Sequence, residues 1–188
     1  MIQETIITTI SDSGTVHIAP MGVHVADKQF VILPFKPSTT LNNVLQTGTA
    51  VINYCDDVRI FAGCLTGRRN WPLKPSEKIN GRYLADTLAH AELVLEAVED
   101  DAVRPKLFCK AVHEVNHRPF QGFNRAQFAV LEAAILVSRL GRLSWDKIQA
   151  ELDYLQIGLD KCAGERELEA WSWLMAVIEQ HKQGEMPS

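Results

Sequence analysis

Over the first third of the chain, apolar and β-branched residues fall in short runs. ETIITTI, VHIAPMGVHV and QFVILPF are separated by the turn signals SDSG and ADK, which predicts a three-stranded meander. The period then changes. LNNVLQTG spaces Leu41, Val44 and Leu45 at helical intervals and stops at Gly48, so a helix is expected with Ser38 at its start. TAVINY returns to a strand pattern, and DDVRIFAGCLTG fits either a strand or a short helix. Residues 67–86 hold two prolines, two glycines and five Lys or Arg, which predicts a long irregular loop around Trp71. HAELVLEAVED and RPKLFCKAVHEVNH read as a strand pair turning at Asp100-Asp101. From Asn124 the pattern is helical: Asn124 and Ser144 are placed to cap two helices, and Leu168, Trp171, Met175 and Ile178 form an apolar stripe on a third. The expected class is α+β, with an antiparallel β-barrel of about six strands in residues 1–123 and a helical C-terminal subdomain in residues 124–188.

Bulk properties narrow the partners. The 188 residues are 46% hydrophobic, enough for a substantial core, and the net charge of -4 gives no electrostatic footprint for nucleic acid. No apolar run approaches the ~20 residues a bilayer crossing needs. MIQETIITTI has neither the basic start nor the small-residue cleavage site of a signal peptide, so a soluble, cytoplasmic protein is expected. Cys55, Cys64, Cys109 and Cys162 make no Cys-x-x-Cys pair and read as buried free thiols. Cys55 is a possible exception, but Asp56 and Asp57 beside it disfavour a thiolate.

Three stretches carry candidate chemistry. The first is KPSTTLNNVLQTG, residues 36–48, where Lys36, Ser38, Thr39 and Thr40 gather at a helix start that has no acidic residue in its first turn. Free backbone N–H groups and the helix dipole attract anions there, so the stretch is either an ordinary Ser cap or a phosphate site. The second is HEVNH, residues 113–117, which matches the zinc-protease pattern His-Glu-x-x-His. Its flanks are strand formers, and a strand would set His113 and His117 about 13 Å apart at ~3.3 Å per residue, too far for one zinc. No metal site is expected. His113, Val115 and His117 would then share one face, with Glu114 and Asn116 on the other. The third is VHIAPMGVHV, with Pro20 and Gly22 inside a strand, which suits an edge, a bulge, or a flat ligand lying against bare backbone.

The order APMG, PFKPSTT, then Thr40, Asn43 and Val44, then Thr47-Gly48-Thr49-Ala50-Val51-Ile52-Asn53 resembles the FMN-binding split-barrel proteins, which include the flavin reductases. Asn53, Asp56, Asp57 and the opening ETIITT resemble a branch from archaea and methylotrophic bacteria in which a helical part follows the barrel. The resemblance implies a split barrel and a homodimer with FMN at the subunit interface. Lys36, Ser38, Thr39 and Thr40 would hold the FMN phosphate, and Asn43 would hold the same turn together. Pro20, Met21 and Gly22 would face the flavin ring, and Asn53 would approach it from the neighbouring strand. Trp71, Asn124 and Arg125 are candidates for the partner subunit's share. The implied activity is flavin-dependent hydride or electron transfer to a small molecule, with a nicotinamide or deazaflavin donor and a link to pterin one-carbon chemistry. No catalytic side chain is assigned, although His17 and His24 flank APMG and would be placed to deliver a proton. The arginine-and-lysine strand pattern of pyridoxamine phosphate oxidases is absent. A flavin-binding or assembly protein without turnover is the alternative.

Overall fold

A computed structural model of the chain describes residues 1–26 and 29–184. Among them are the strands β1 (Ile2–Ile10), β2 (Val16–Ala26), β3 (Gln29–Ile32), β4 (Thr49–Tyr54), β5 (Leu73–Pro75), β6 (Arg82–Leu84), β7 (Ala89–Glu99) and β8 (Lys106–Asn116). The helices are α1 (Thr39–Thr47), α2 (Val58–Leu65), α3 (Arg125–Val137), α4 (Trp145–Cys162) and α5 (Glu165–Lys182). The turn expected at ADK falls on Asp27 and Lys28, outside the described residues.

Six strands close an antiparallel barrel in the order β1-β2-β3-β8-β7-β4, as the sequence pattern predicts. Each barrel strand delivers a fully buried residue to one cluster: Ile7, Val23, Ile32, Ile52, Leu93 and Leu107. Each such burial contributes roughly 1.5–3 kcal/mol. Leu41 and Val44 of α1 join the cluster, which fixes where that helix begins relative to the barrel wall. Gly48 ends α1 at φ 68, a left-handed conformation that glycine adopts without strain, and its N–H bonds to the Val44 carbonyl.

The stretch 67–86 is not wholly irregular: it holds the small antiparallel hairpin β5–β6. Within the stretch DDVRIFAGCLTG, ambiguous by pattern, Val58–Leu65 is a helix, α2. Asp57 caps it by accepting the Arg59 N–H at 3.1 Å, while the Arg59 guanidinium returns to Asp57 at 2.7 Å and to Glu169 at 3.0 Å. By internal contacts the chain forms two compact units, Met1–Cys55 with Asn70–Phe120, and Asp56–Arg69 with Gln121–Ser188. The segment carrying α2 therefore groups with the C-terminal helices, its Val58 and Ala62 packing in one cluster with Ala126, Val130, Leu152 and Leu174.

Asn124 caps α3 as expected, accepting the Ala126 N–H at 2.8 Å. Ser144 stands at the start of α4 without a side-chain cap bond. The stripe on α5 is shifted from the expected one. Ala170, Trp171, Leu174 and Ile178 are its buried members, whereas Leu168 is 54% exposed, because the helix turns the i-3 position of Trp171 away from the other helices. Trp173, off the stripe, carries the Arg68 guanidinium 4.5 Å above its ring.

Candidate functional site

The phosphate-suited stretch is a real helix start. Ser38 is extended (φ -154, ψ 150), its Oγ accepts the Leu41 N–H, and its carbonyl accepts the Asn42 N–H at 3.1 Å. Both capping bonds use donors of the second half of the first turn, so the N–H groups at the very tip, those of Thr39 and Thr40, are the ones that face an incoming acceptor. No acidic side chain stands in that turn. Thr39 is exposed, while Thr40 is 2% exposed and turned into the barrel.

Lys36 is held from two directions at the tip of the β7–β8 hairpin. Its backbone N–H donates to the Val103 carbonyl at 2.8 Å, and its ammonium pairs with Asp100. The ammonium beside it holds the Asp100 carboxyl below the usual carboxylate range. The Asp101 carboxylate accepts the N–H groups of Val103 and Arg104, and Arg104 in turn donates to the Leu33 carbonyl at 2.9 Å while its guanidinium lies 4.6 Å over the Phe35 ring. Two cations, Lys36 and Arg104, thus flank the segment that leads into α1.

The strand with Pro20 and Gly22 runs beside this segment. β1 pairs along the whole of β2, Ile6 opposite Pro20 and Glu4 opposite Gly22, but β3 reaches back only to Val23. Among the described residues, Val16–Gly22 is laddered on one side only, which is why a proline is tolerated there. Gly22 has a packing reason of its own: a Cβ would stand 3.0 Å from Cγ2 of Ile2 on β1. Pro20, Met21 and Gly22 are half-buried, a strip of backbone with an open edge on the side from which the chain enters α1.

Asn43 and Asn53 face inward. Asn43, 4% exposed, donates from Nδ2 to Thr9 Oγ1 at 3.0 Å and so ties α1 to β1 rather than to its own turn. Asn53, fully buried, donates to the Ile6 carbonyl at 3.1 Å and Thr8 Oγ1 at 3.2 Å, and its Oδ1 accepts the Leu84 N–H at 2.7 Å. The structure therefore brings Lys36, Ser38 and Thr39 together at the start of α1, buries Thr40 and Asn43 within the same helix, and holds Asn53 apart from them, between β1 and β6. Of the other candidates, His24 is exposed, His17 and Trp71 are half-buried, and Arg125 donates to Cys162 Sγ at 3.3 Å.

HEVNH lies on β8, with His117 just past its end. Its histidines meet different partners: His113 Nε2 is 3.2 Å from Glu77, and His117 Nε2 is 2.8 Å from His90 Nδ1. Sequence reading gave no signal for His90, Tyr83 and Glu92, which meet these histidines only through cross-strand pairing.

Models of a family of unknown function, DUF447, match the chain twice, its N-terminal domain over residues 3–118 and its C-terminal part over residues 124–176. The chain belongs to the DUF447 family. No curated protein matches it. Among solved structures, a DUF447 protein from Methanosarcina mazei, FMN-bound MM1853, is similar over 94% of both chains, with a TM-score of 0.79 and 18% identity. The 2-nitrobenzoate 2-nitroreductase NbaA of Pseudomonas fluorescens is similar over 61% of this chain and 64% of its own (TM-score 0.54, 21% identity). Nitrilotriacetate monooxygenase component B of Mycobacterium thermoresistibile is similar over 63% and 70% (TM-score 0.53, 18% identity). At these identities the likeness shows the fold, an antiparallel barrel in a chain that also carries a helical part. No helix among the described residues is long and apolar enough to cross a membrane.

Proposed function

We propose that this DUF447 chain binds FMN and serves as a flavin-dependent oxidoreductase on a small molecule, working as a homodimer with the cofactor at the subunit interface. One observation carries the reading. The start of α1 presents the Thr39 and Thr40 N–H groups, the Thr39 hydroxyl and the Lys36 ammonium with no acidic side chain in the first turn, beside an open backbone edge at Pro20–Gly22. An anion at a helix N-terminus and a flat ring against unladdered backbone are what such a surface accommodates. The FMN-bound relative MM1853, alike over nearly its whole length, supports the same cofactor here.

In this reading Lys36, Ser38, Thr39 and Thr40 hold the phosphate end. Backbone groups of Pro20, Met21 and Gly22 hydrogen-bond the ring edge. Asn43 and Asn53 act from beneath, keeping α1, β1 and β4 in register so that the two surfaces stay aligned. When bound, FMN supplies hydride or electron transfer, and the protein supplies binding, orientation and exclusion of water. A nicotinamide or deazaflavin is the proposed electron donor, cytoplasm the proposed location, and pterin one-carbon chemistry the proposed setting. That setting rests on the sequence resemblance alone.

The test is to add FMN to the purified protein and follow flavin fluorescence, then to add NADH or NADPH without oxygen and follow bleaching. Quenching with bleaching supports a reductase. Quenching with no bleaching by any donor favours the non-catalytic flavin-binding alternative, and no quenching overturns the cofactor assignment.

A further inference from the structure

At the end of the barrel away from the β7–β8 hairpin tip, a chain of acid–base groups runs from a buried carboxylate to the surface. Glu92 on β7 is fully buried. Its Oε1 accepts the Glu77 N–H at 2.6 Å, and its Oε2 accepts the N–H groups of Lys78 and Ile79 at 2.7 and 3.2 Å. Burial pushes the carboxyl up, but these backbone donors and His90 outweigh it, so it sits below the ordinary carboxylate range and is ionised. His90 Nε2 lies 3.3 Å from Glu92 Oε1, and His90 Nδ1 lies 2.8 Å from His117 Nε2. The two imidazoles are 11° from coplanar with centroids 5.0 Å apart, so they lie edge to edge. Tyr83 spans both, 4.1 Å from His90 at 4° and 5.2 Å from His117 at 10°.

The hydrogens in this chain can be assigned by elimination. An ionised Glu92 only accepts, so His90 carries its proton on Nε2. Burial holds His90 neutral, which leaves Nδ1 an acceptor, so His117 must donate from Nε2. The remaining nitrogen, His117 Nδ1, then bears a lone pair on an exposed residue. Lys74 of β5 is the cross-strand partner of Tyr83, whose ring lies over His117; burial, and then the Lys74 charge, hold the His117 imidazole below its ordinary value, and Arg118 is paired with Asp86 at 3.0 Å. The other titratable neighbours are Tyr83 and His113, the latter engaged with Glu77.

We propose that Glu92, His90 and His117 form a proton relay that makes His117 Nδ1 a general base at a second site. Its ligand is a small weak acid bearing a carboxylate or phosphate, held by Lys74. In the step, the ligand's X–H bond breaks, its electron pair stays on X, and the proton forms a bond to His117 Nδ1. The resulting imidazolium is oriented through His90 Nδ1 and faces the Glu92 charge along the chain, the logic by which a buried carboxylate supports a catalytic histidine. The site lies at the opposite end of β8 from Val103 and Lys36, with His90 the cross-strand partner of Asn53 on β4, and its test does not depend on the cofactor reading.

The test is long-range proton–nitrogen NMR of the histidine rings in the unaltered protein, with inorganic phosphate as the probe ligand. The expected result is Nε2–H on both His90 and His117, with both protons downfield and slow to exchange, and His117 signals that move on adding phosphate. His90→Phe keeps the ring over Tyr83 and the backbone bonds of Glu92, and should return the His117 proton to fast exchange. Lys74→Ala should weaken the phosphate response severalfold. An Nδ1–H on His90, or a His117 proton unchanged in His90→Phe, overturns the relay. Phosphate that leaves the His117 signals unmoved overturns the ligand class. The tautomer measurement decides even if the variant does not fold.

Discussion

The side-chain oxygen of Asn53 on β4 accepts the backbone N–H of Leu84 on β6 at 2.7 Å, while the same amide donates to β1. One fully buried side chain thus joins the small hairpin to the barrel. Asn53→Ala leaves the Leu84 N–H without its acceptor in a place water does not reach, and removes the amide donor to the Ile6 carbonyl and the Thr8 hydroxyl. The expected loss is about 2–4 kcal/mol, near the upper range for an orphaned buried donor plus the cavity. Urea unfolding checks it. Asn53→Asp keeps the acceptor but loses the donor, and should be no better.

Glu92 makes stability depend on acid. Its folded carboxyl lies below the ordinary value of 4.5, so its contribution is complete above that pH and is lost as pH falls through the folded value. Unfolding midpoints measured from pH 7 down to pH 3 should fall steeply below about 4.5. Glu92→Gln replaces one acceptor oxygen by a donor facing N–H groups. It should cost roughly 2–3 kcal/mol at pH 7 and flatten the acid dependence below 4.5.

Lys36 pairs with Asp100 beside the start of α1, where the FMN phosphate is proposed to bind. Lys36→Ala should weaken FMN binding about tenfold, and Asp100→Asn, which removes the competing carboxylate, should tighten it about two- to fivefold. Both effects should shrink in high salt. Fluorescence titrations with FMN measure them, and a weaker Asp100→Asn complex would count against Lys36 as a phosphate ligand.

Burial raises the Cys64 thiol to about 11 and the Cys109 thiol to about 12, so neither supplies thiolate near neutral pH. A chromogenic thiol reagent at pH 8 should modify Cys55 and Cys162, which are part-exposed, well before Cys64 and Cys109, and the latter pair should react only on unfolding.

The barrel could be read from sequence because its strands are β-branched runs set off by turn residues, and α1 because Ser38 and Gly48 bracket a helical period. Asp56–Leu65 was ambiguous for a physical reason: Val58, Ile60, Phe61, Ala62 and Cys64 are all buried, so no polar face reveals the period. The helix start with Lys36, Ser38 and Thr39 was legible as local chemistry, since the three are neighbours in sequence. Asn53 matched the motif, but its inward aim follows from the register of β4 with β1, which sequence does not contain. His90 and His117 are separated by a hairpin, and nothing in HEVNH signals that one of its histidines bonds across it.

The division of the chain has a consequence for synthesis. Residues 56–69 leave the ribosome before residues 70–120, yet the side chains they bury belong with helices that come last. The apolar face of α2 must therefore stay uncovered while the barrel is completed around its two ends. The helical unit cannot be removed by cutting the chain once after Phe120, because such a truncation strands Val58 and Ala62 in water. For this protein, expression of the barrel alone calls for replacing residues 56–69 by a short polar link, and chaperone demand during translation should peak before α3 emerges.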